Sequence, residues 1–252
     1  MSEPGPGTDG ARVAALPLLL SVVAGLTDVT TFVLLHGVFS AHITGNLVVL
    51  AADVATGRPV GLTTVLAIPC FILTAALVTV LVARSTRDPA GWITPLLIAQ
   101  AALLVGAAVV GITTHASTGT GAGPVVTGLF AIAAMAVQNA LLHVGFARSP
   151  TTAVMTGNVV GATVSGVRLL VGGTGATRQD RAAWRRTWPL IVGFLAGCLV
   201  GGIACRLLGD LAALVPMAAA VVVAIMFGAA RPGAVTTRSI VGHADGPEGA
   251  VG

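Results

Sequence analysis

The chain has no lysine, and only 9% of its residues are charged. All 13 basic residues are arginine, and the net charge of +4 reflects a few arginines between apolar runs. A lysine nucleophile is therefore excluded, and a basic nucleic-acid-binding surface is a poor interpretation, so we expect no nucleic-acid partner. The three cysteines, Cys70, Cys198 and Cys205, are odd in number and lie within apolar runs, so we predict no disulfide framework.

The common enzyme motifs are missing as well. The sequence contains no HExxH, no G-x-S-x-G and no GKS or GKT phosphate loop. The Gly-rich stretch GGTGAT at 172–177 lacks the lysine that a phosphate loop needs. We therefore predict that the protein is not an enzyme, and that it uses no cofactor and no metal ion.

Apolar sequence is abundant. Hydrophobic residues make up 55% of the 252 positions, and the mean hydropathy is +0.96. This composition is typical of a protein that crosses a bilayer several times, so we predict an all-α integral membrane protein. Eight apolar segments are visible, at 12–35, 44–57, 62–83, 92–113, 124–147, 153–171, 188–208 and 211–229.

The placement of the arginines decides between two topologies. The segment at 44–57 has about 14 residues, whereas a spanning helix needs about 20. If all eight segments span, nine arginines lie on one side and four on the other. If the second and sixth segments enter and return on the same side, the count is eleven against two, which the positive-inside rule favours. We predict six spanning helices, two short broken or re-entrant segments and cytoplasmic termini; eight short tilted spans are the alternative.

The two halves of the chain carry matching landmarks. AGLTDV at 24–29 aligns with AMAVQN at 134–139, which pairs Asp28 with Gln138 and then superposes two TGN triplets. Two proline pairs follow in the same order, Pro69 with Pro189 and Pro95 with Pro216. Three spans per unit make the two units inverted, an architecture that transporters use to place a site at the bilayer midplane.

These landmarks divide the chain into five parts. We predict a disordered tail at 1–10, a first membrane repeat at 11–113 and a Gly-rich linker at 114–123. A second repeat at 124–229 and a disordered tail at 230–252 complete the chain.

The repeated triplet is the main candidate for a binding element. It consists of Thr44, Gly45 and Asn46 in the first repeat and of Thr156, Gly157 and Asn158 in the second. Broken helices at membrane depth are tolerated where they line a polar cavity, and a helix N-terminus favours anionic or dipolar ligands. We therefore predict that the two triplets aim half-helices at one solute; the alternative is that they cap ordinary helices at the surface.

Four more polar residues join this candidate site. Asp28 is the only acid well inside a long apolar segment, about 7 Å from the midplane if the span is 12–35. It is a candidate for proton coupling together with His42, and the alternative is a structural hydrogen bond to Gln138 or Asn139. Adjacent Gln138 and Asn139 cannot both face lipid without penalty, so we expect them to line the cavity or contact the other repeat.

Small residues recur every four positions at Gly193, Gly197 and Gly201, a spacing that allows close helix packing. Packing within the chain is one interpretation and a homo-oligomer through this face is the other. The preceding RQDRAAWRRTWP carries arginines and tryptophans suited to the headgroup region, so we read it as topology anchoring. The lipid bilayer is the expected environment.

The motifs G-x-x-D at 25–28, H-x-TGN at 42–46 and A-M-x-x-Q-N at 134–139 occur together. In this combination the sequence resembles the YoaK family of bacterial inner-membrane proteins, a domain of unknown function, over residues 11–229. The resemblance implies a small multi-pass protein of the bacterial cytoplasmic membrane and supplies no substrate. The residues themselves favour a secondary transporter or permease for a small polar or anionic solute. A non-transporting assembly protein or an uncharacterised intramembrane enzyme is the alternative.

Overall fold

The computed structural model of the protein describes residues 8–145, 155–171 and 177–228. The predicted C-terminal tail at 230–252 lies outside the described residues, as do the first seven residues of the predicted N-terminal tail. Residues 8–10, which we assigned to that tail, belong to the first helix.

Every regular element of the described residues is helical. Two short 3₁₀ helices, Pro89–Trp92 and Gly209–Ala213, precede the fourth and eighth α-helices. The α-helices are α1 (Thr8–Leu34), α2 (Ile43–Thr56), α3 (Leu62–Ala83), α4 (Ile93–Thr113), α5 (Ala122–Gly145), α6 (Met155–Val171), α7 (Arg178–Leu208) and α8 (Leu214–Gly228).

Five helical stretches are long and apolar enough to cross a membrane. They are Ala15–Leu34, Leu62–Ala83, Ala90–Thr113, Ala122–Val144 and Arg178–Gly228, the last of which contains both α7 and α8. The helices α2 and α6 are apolar but shorter, with 14 and 17 residues. The protein is therefore all-helical and has the helices of a membrane protein, as the hydropathy indicated.

Local sequence accounts for several helix ends. The chain leaves α1 through His36 and Gly37, both at positive φ, and the Gly37 N–H donates to the Phe32 carbonyl at 2.8 Å. Gly57, at φ 66°, ends α2 in the same way. At the start of α7, Thr177 and Asp180 cap each other, the Thr177 hydroxyl accepting from the Asp180 N–H at 3.1 Å.

Two buried clusters lie toward the two ends of the bundle. We name these ends after Leu16 in α1 and Leu35, the residue directly after α1. At the Leu35 end, the end of α1 meets the start of α3, the residues after α4 and the first half of α5. At the Leu16 end, the start of α1 meets the start of α4 and the ends of α3, α5 and α8. Therefore α1 and α4 run in one direction, whereas α3, α5 and α8 run in the other.

Close packing of glycines joins α1 to α7. These two helices are parallel, because Gly193 lies against Leu18 and Gly201 lies against Val29. A Cβ on Gly197 would come within 2.9 Å of the Leu26 nitrogen. The glycine face of α7 is thus covered by α1 within one chain.

Candidate functional site

The Asp28 carboxylate, only 4% exposed, is the centre of the most concentrated polar cluster in the described residues. Its Oδ1 accepts hydrogen bonds from the backbone N–H groups of Ser40 and Ala41, both at 2.8 Å, and of His42 at 3.4 Å. Its Oδ2 lies 2.7 Å from Nδ1 of His42. With the Ser40 hydroxyl at 3.4 Å from Oδ1, five donors therefore surround one carboxylate within the apolar helix bundle.

These contacts draw the chain back toward the middle of α1. From Asp28 to Leu34 a helix rises about 9 Å, and residues 40–42 return over that distance to reach the carboxylate. As a result α2 begins at the depth of Asp28. The N–H groups that donate to the carboxylate belong to the three residues directly before α2, which begins at Ile43.

Asn46, fully buried, holds the same returning chain. Its side-chain oxygen accepts from the Phe39 N–H at 2.9 Å, and its side-chain nitrogen donates to the Phe39 carbonyl at 2.7 Å. The oxygen and the nitrogen of the Asn46 amide therefore both bond to the backbone of Phe39, whose polar groups would otherwise lack these partners.

The other two residues of this triplet have different roles. Gly45 makes room for the Phe39 ring, because a Cβ on Gly45 would come within 2.8 Å of it. Thr44 is exposed. The ring of Phe39 in turn packs on Phe32, with ring centroids 4.7 Å apart.

The second triplet lies elsewhere. In α6, Asn158 is buried and has a polar partner, whereas Thr156 and Gly157 are exposed. The helix α6 packs principally against α7 and α2 packs principally against α3. Within the part of the chain that the structure describes, no hydrogen bond joins the two triplets. The residues before α6, at 146–154, lie outside the described residues.

Gln138 reaches α1 and α4. Its side chain donates to the Leu20 carbonyl at 3.1 Å and accepts from the Gln100 amide at 2.7 Å. Asn139 donates to the Met135 carbonyl one turn earlier at 2.9 Å. The alternative that paired Asp28 with Gln138 or Asn139 is wrong about the partner, because the donors to Asp28 come from residues 40–42.

His42 is only partly buried, unlike Asp28 and Ser40. Its side chain is 30% exposed, and its ring packs edge-on against Phe194 of α7, with centroids 5.1 Å apart. The hydrogen bond that the His42 ring donates to the Asp28 carboxylate raises the pKa of His42 above its ordinary value of 6.5, against the opposing effect of burial.

Four contributing residues were missed by the sequence analysis. Phe39, Ser40 and Ala41 join the site through backbone groups, which leave no mark in the sequence. Gln100 had a readable signal, because it is an uncharged amide within the apolar run of α4. The described residues contain no group of three or more His, Cys, Asp or Glu side chains that would hold a metal ion.

Comparison with known proteins adds one finding. No curated protein and no solved structure matches the chain. A family model matches residues 16–226, which span all eight helices. The chain therefore belongs to the family described as Protein of unknown function (DUF1275).

Proposed function

We propose that the protein is a proton-coupled secondary transporter or permease for a small polar solute in the bacterial cytoplasmic membrane, with both termini cytoplasmic. The observation that carries this proposal is the Asp28 carboxylate, which is buried at membrane depth and holds the start of a short helix. A buried acid inside a span is costly and is retained where its charge is used. His42, whose side chain is 30% exposed and in contact with the carboxylate, is the proposed route by which protons reach this acid.

An inverted repeat supports the proposal. Suppose that each of α1–α4 is exchanged with its counterpart in α5–α8. The α1–α7 contact then becomes α5–α3, and the α1–α8 contact becomes α5–α4. The α2–α3 contact becomes α6–α7. All of these helix pairs are in contact, and the α1–α5 and α4–α8 contacts map onto themselves. Corresponding helices run in opposite directions, as a two-fold axis in the membrane plane requires.

The same contacts favour six spans and two re-entrant segments. The end of α1 and the start of α3 both lie at the Leu35 end, so α2 leaves and returns at that end. The end of α5 and the start of α7 both lie at the Leu16 end, so α6 leaves and returns at that end. With α8 counted separately from α7, six helices then cross the membrane. The YoaK-like assignment and a bacterial source belong to this proposal as well.

The position of Asp28 changes the expected solute. Because its carboxylate lies beside the backbone that leads into α2, an anionic solute at the start of α2 would meet an acidic group there. An uncharged polar solute meets no such repulsion. The proton carrier and the solute site are then separate, and Asn46 has a structural role in holding the carrier.

A non-transporting assembly protein or an intramembrane enzyme is the second candidate. It is favoured by the mutual satisfaction of Asp28, Asn46 and the 39–42 backbone, since a purely structural cluster has this property. The glycine face offers no support for a homo-oligomer, because α1 covers it.

Proteoliposomes containing a pH-sensitive dye distinguish the two candidates. The purified protein is reconstituted, and uncharged amides and alcohols, amino acids, carboxylates, sugars and nucleobases are added under an inward proton gradient. We expect one class to accelerate internal acidification, and Asp28→Asn to abolish this effect while keeping the fold. The matched control is Asp53→Asn at the end of α2, whose carboxylate pairs with exposed Arg58 at 2.8 Å. If no class moves protons, or if Asp28→Asn behaves like the parent, the transporter proposal fails.

A further inference from the structure

One side of α7 is exposed from the start of the helix to its middle. Because residues three or four positions apart share a helix face, six exposed side chains lie on this side. We call them the Arg185 face: Arg181, Arg185, Trp188, Val192, Leu195 and Leu199. Along the helix the face therefore changes from cations to an aromatic ring and then to aliphatic side chains.

The order and the length of the Arg185 face match one leaflet of a bilayer. From Trp188 to Leu199 the helix rises about 17 Å, which is close to half of the roughly 30 Å thickness of the hydrocarbon core. Trp188 then lies at the interface, where tryptophan is enriched. Arg185 and Arg181 lie about 5 Å and about 11 Å further out, at the depth of the headgroups.

The cations of this face have no anionic partner within the described residues. Between positions 155 and 208 the sequence contains one acid, Asp180. Its carboxylate lies 3.4 Å from Arg168 of α6 and accepts from the Thr177 hydroxyl at 2.7 Å. Neither Arg181 nor Arg185 takes part in a salt bridge in the part of the chain that the structure describes. Unpaired cations at headgroup depth attract anionic lipids.

The end of α6 borders the Arg185 face and adds aliphatic surface. The Trp184 ring packs on α6 at Gly166, where a Cβ would come within 2.7 Å of the ring. Arg168 is 66% exposed, and the nearby Leu170 and Val171 are 86% and 81% exposed. These aliphatic side chains favour a lipid as the partner, because acyl chains would cover them and an acidic protein segment would not.

We propose that the Arg185 face binds an anionic phospholipid, with the phosphate against Arg181 and Arg185 and an acyl chain along Val192 and Leu195. Guanidinium groups suit this role because they donate to phosphate oxygens in pairs and stay charged at the membrane interface. The inference goes beyond the proposed transport function and does not depend on it.

Arg186 provides a matched control for the site. It is exposed and follows Arg185 directly, but it lies about 100° further around the helix and so outside the Arg185 face. The substitutions Arg185→Gln and Arg186→Gln therefore remove the same charge at nearly the same depth. They differ in the helix face from which the charge is removed.

Quenching of tryptophan fluorescence by brominated lipids measures which lipid lies beside this face. A Trp92→Phe variant of the full chain keeps Trp184 and Trp188 as its two tryptophans. It is reconstituted in phosphatidylcholine vesicles that contain the same mole fraction of either phosphatidylglycerol or phosphatidylcholine with brominated acyl chains. We expect the brominated phosphatidylglycerol to quench about two-fold more strongly, because the arginines concentrate it at the tryptophans.

The two arginine substitutions, each combined with Trp92→Phe, decide whether the site is specific. Arg185→Gln should remove most of the excess quenching, whereas Arg186→Gln should keep it. Quenching by brominated phosphatidylcholine shows that each variant is inserted in the bilayer. Equal quenching by the two lipids, or an equal effect of the two substitutions, would overturn the proposed site.

Native mass spectrometry of the unaltered protein gives a second, independent measurement. After extraction from a mixture of the two lipids, we expect phosphatidylglycerol to stay bound, and to be lost in Arg185→Gln more than in Arg186→Gln. A dimer that Arg185→Gln dissociates, without bound lipid, would assign the Arg185 face to a second copy of the chain and overturn the lipid site. Neither measurement involves transport, so failure of the lipid site leaves the transport proposal standing, and failure of transport leaves the lipid site standing.

Discussion

His42 Nδ1 lies 2.7 Å from Asp28 Oδ2, so a half-exposed imidazole closes over a buried carboxylate. The same carboxylate holds the backbone that leads into α2. A change of charge at this pair therefore acts directly on the start of a short helix. In the proposed mechanism, proton uptake at this pair would change the hydrogen bonds that hold the start of α2.

The first prediction concerns the pH dependence of stability. Because the pKa of His42 is raised in the folded protein, its imidazole binds a proton more tightly in the folded state than in the unfolded chain. This stabilisation is fully present below the ordinary pKa of 6.5 and is lost as the pH rises through the raised value. The melting temperature of the parent should therefore exceed that of His42→Gln at low pH, and the difference should shrink as the pH rises.

Thermal unfolding in detergent between about pH 5 and pH 9 measures this difference. His143→Gln, at an exposed histidine near the end of α5, controls for the substitution itself. A difference between parent and His42→Gln that is constant across the pH range would show that the imidazole contributes by packing alone.

The second prediction concerns Asn46→Ala. The substitution leaves the buried N–H and carbonyl of Phe39 without their side-chain partners. We expect a loss of about 2 kcal/mol of unfolding free energy, because an unsatisfied buried group costs about 1–3 kcal/mol. The neighbouring Thr44→Ala, at an exposed position, should have little effect. Denaturation of both variants in the same detergent checks this, and equal stability of the two would mean that the Phe39 contacts contribute nothing.

The third prediction concerns the contact between α1 and α7. A Cβ on Gly197 would meet the backbone of α1 at Leu26, whereas one on Gly202 has open space around it. Gly197→Val should therefore destabilise the protein by about 1–3 kcal/mol through overpacking, and Gly202→Val should leave it near the parent. The two variants have the same change in helix propensity, so their difference in melting temperature isolates the helix contact. A similar effect of both would argue against close packing at Gly197.

The helix pattern was readable from the sequence. The eight apolar segments agree with the eight α-helices to within a few residues, except that α7 begins ten residues before its apolar run, at Arg178. Hydropathy detects burial in lipid or protein, whereas the arginine-rich start of α7 is helical because Thr177 and Asp180 cap it. Capping is a local signal, and the TxxD spacing was available in the sequence.

The sequence by itself determined that Asp28 is a buried acid in an apolar helix and that the TGN triplets begin two short helices. Both conclusions depend on local composition and helix length, which act over a few neighbouring residues. Only the tertiary structure decided what these groups contact. The carboxylate takes its donors from 40–42, Asn46 binds Phe39, and α1 covers the glycine face of α7. Hydrogen-bond partners depend on how the chain returns after α1 and on how distant helices cross, and neither is encoded in the period of a single segment.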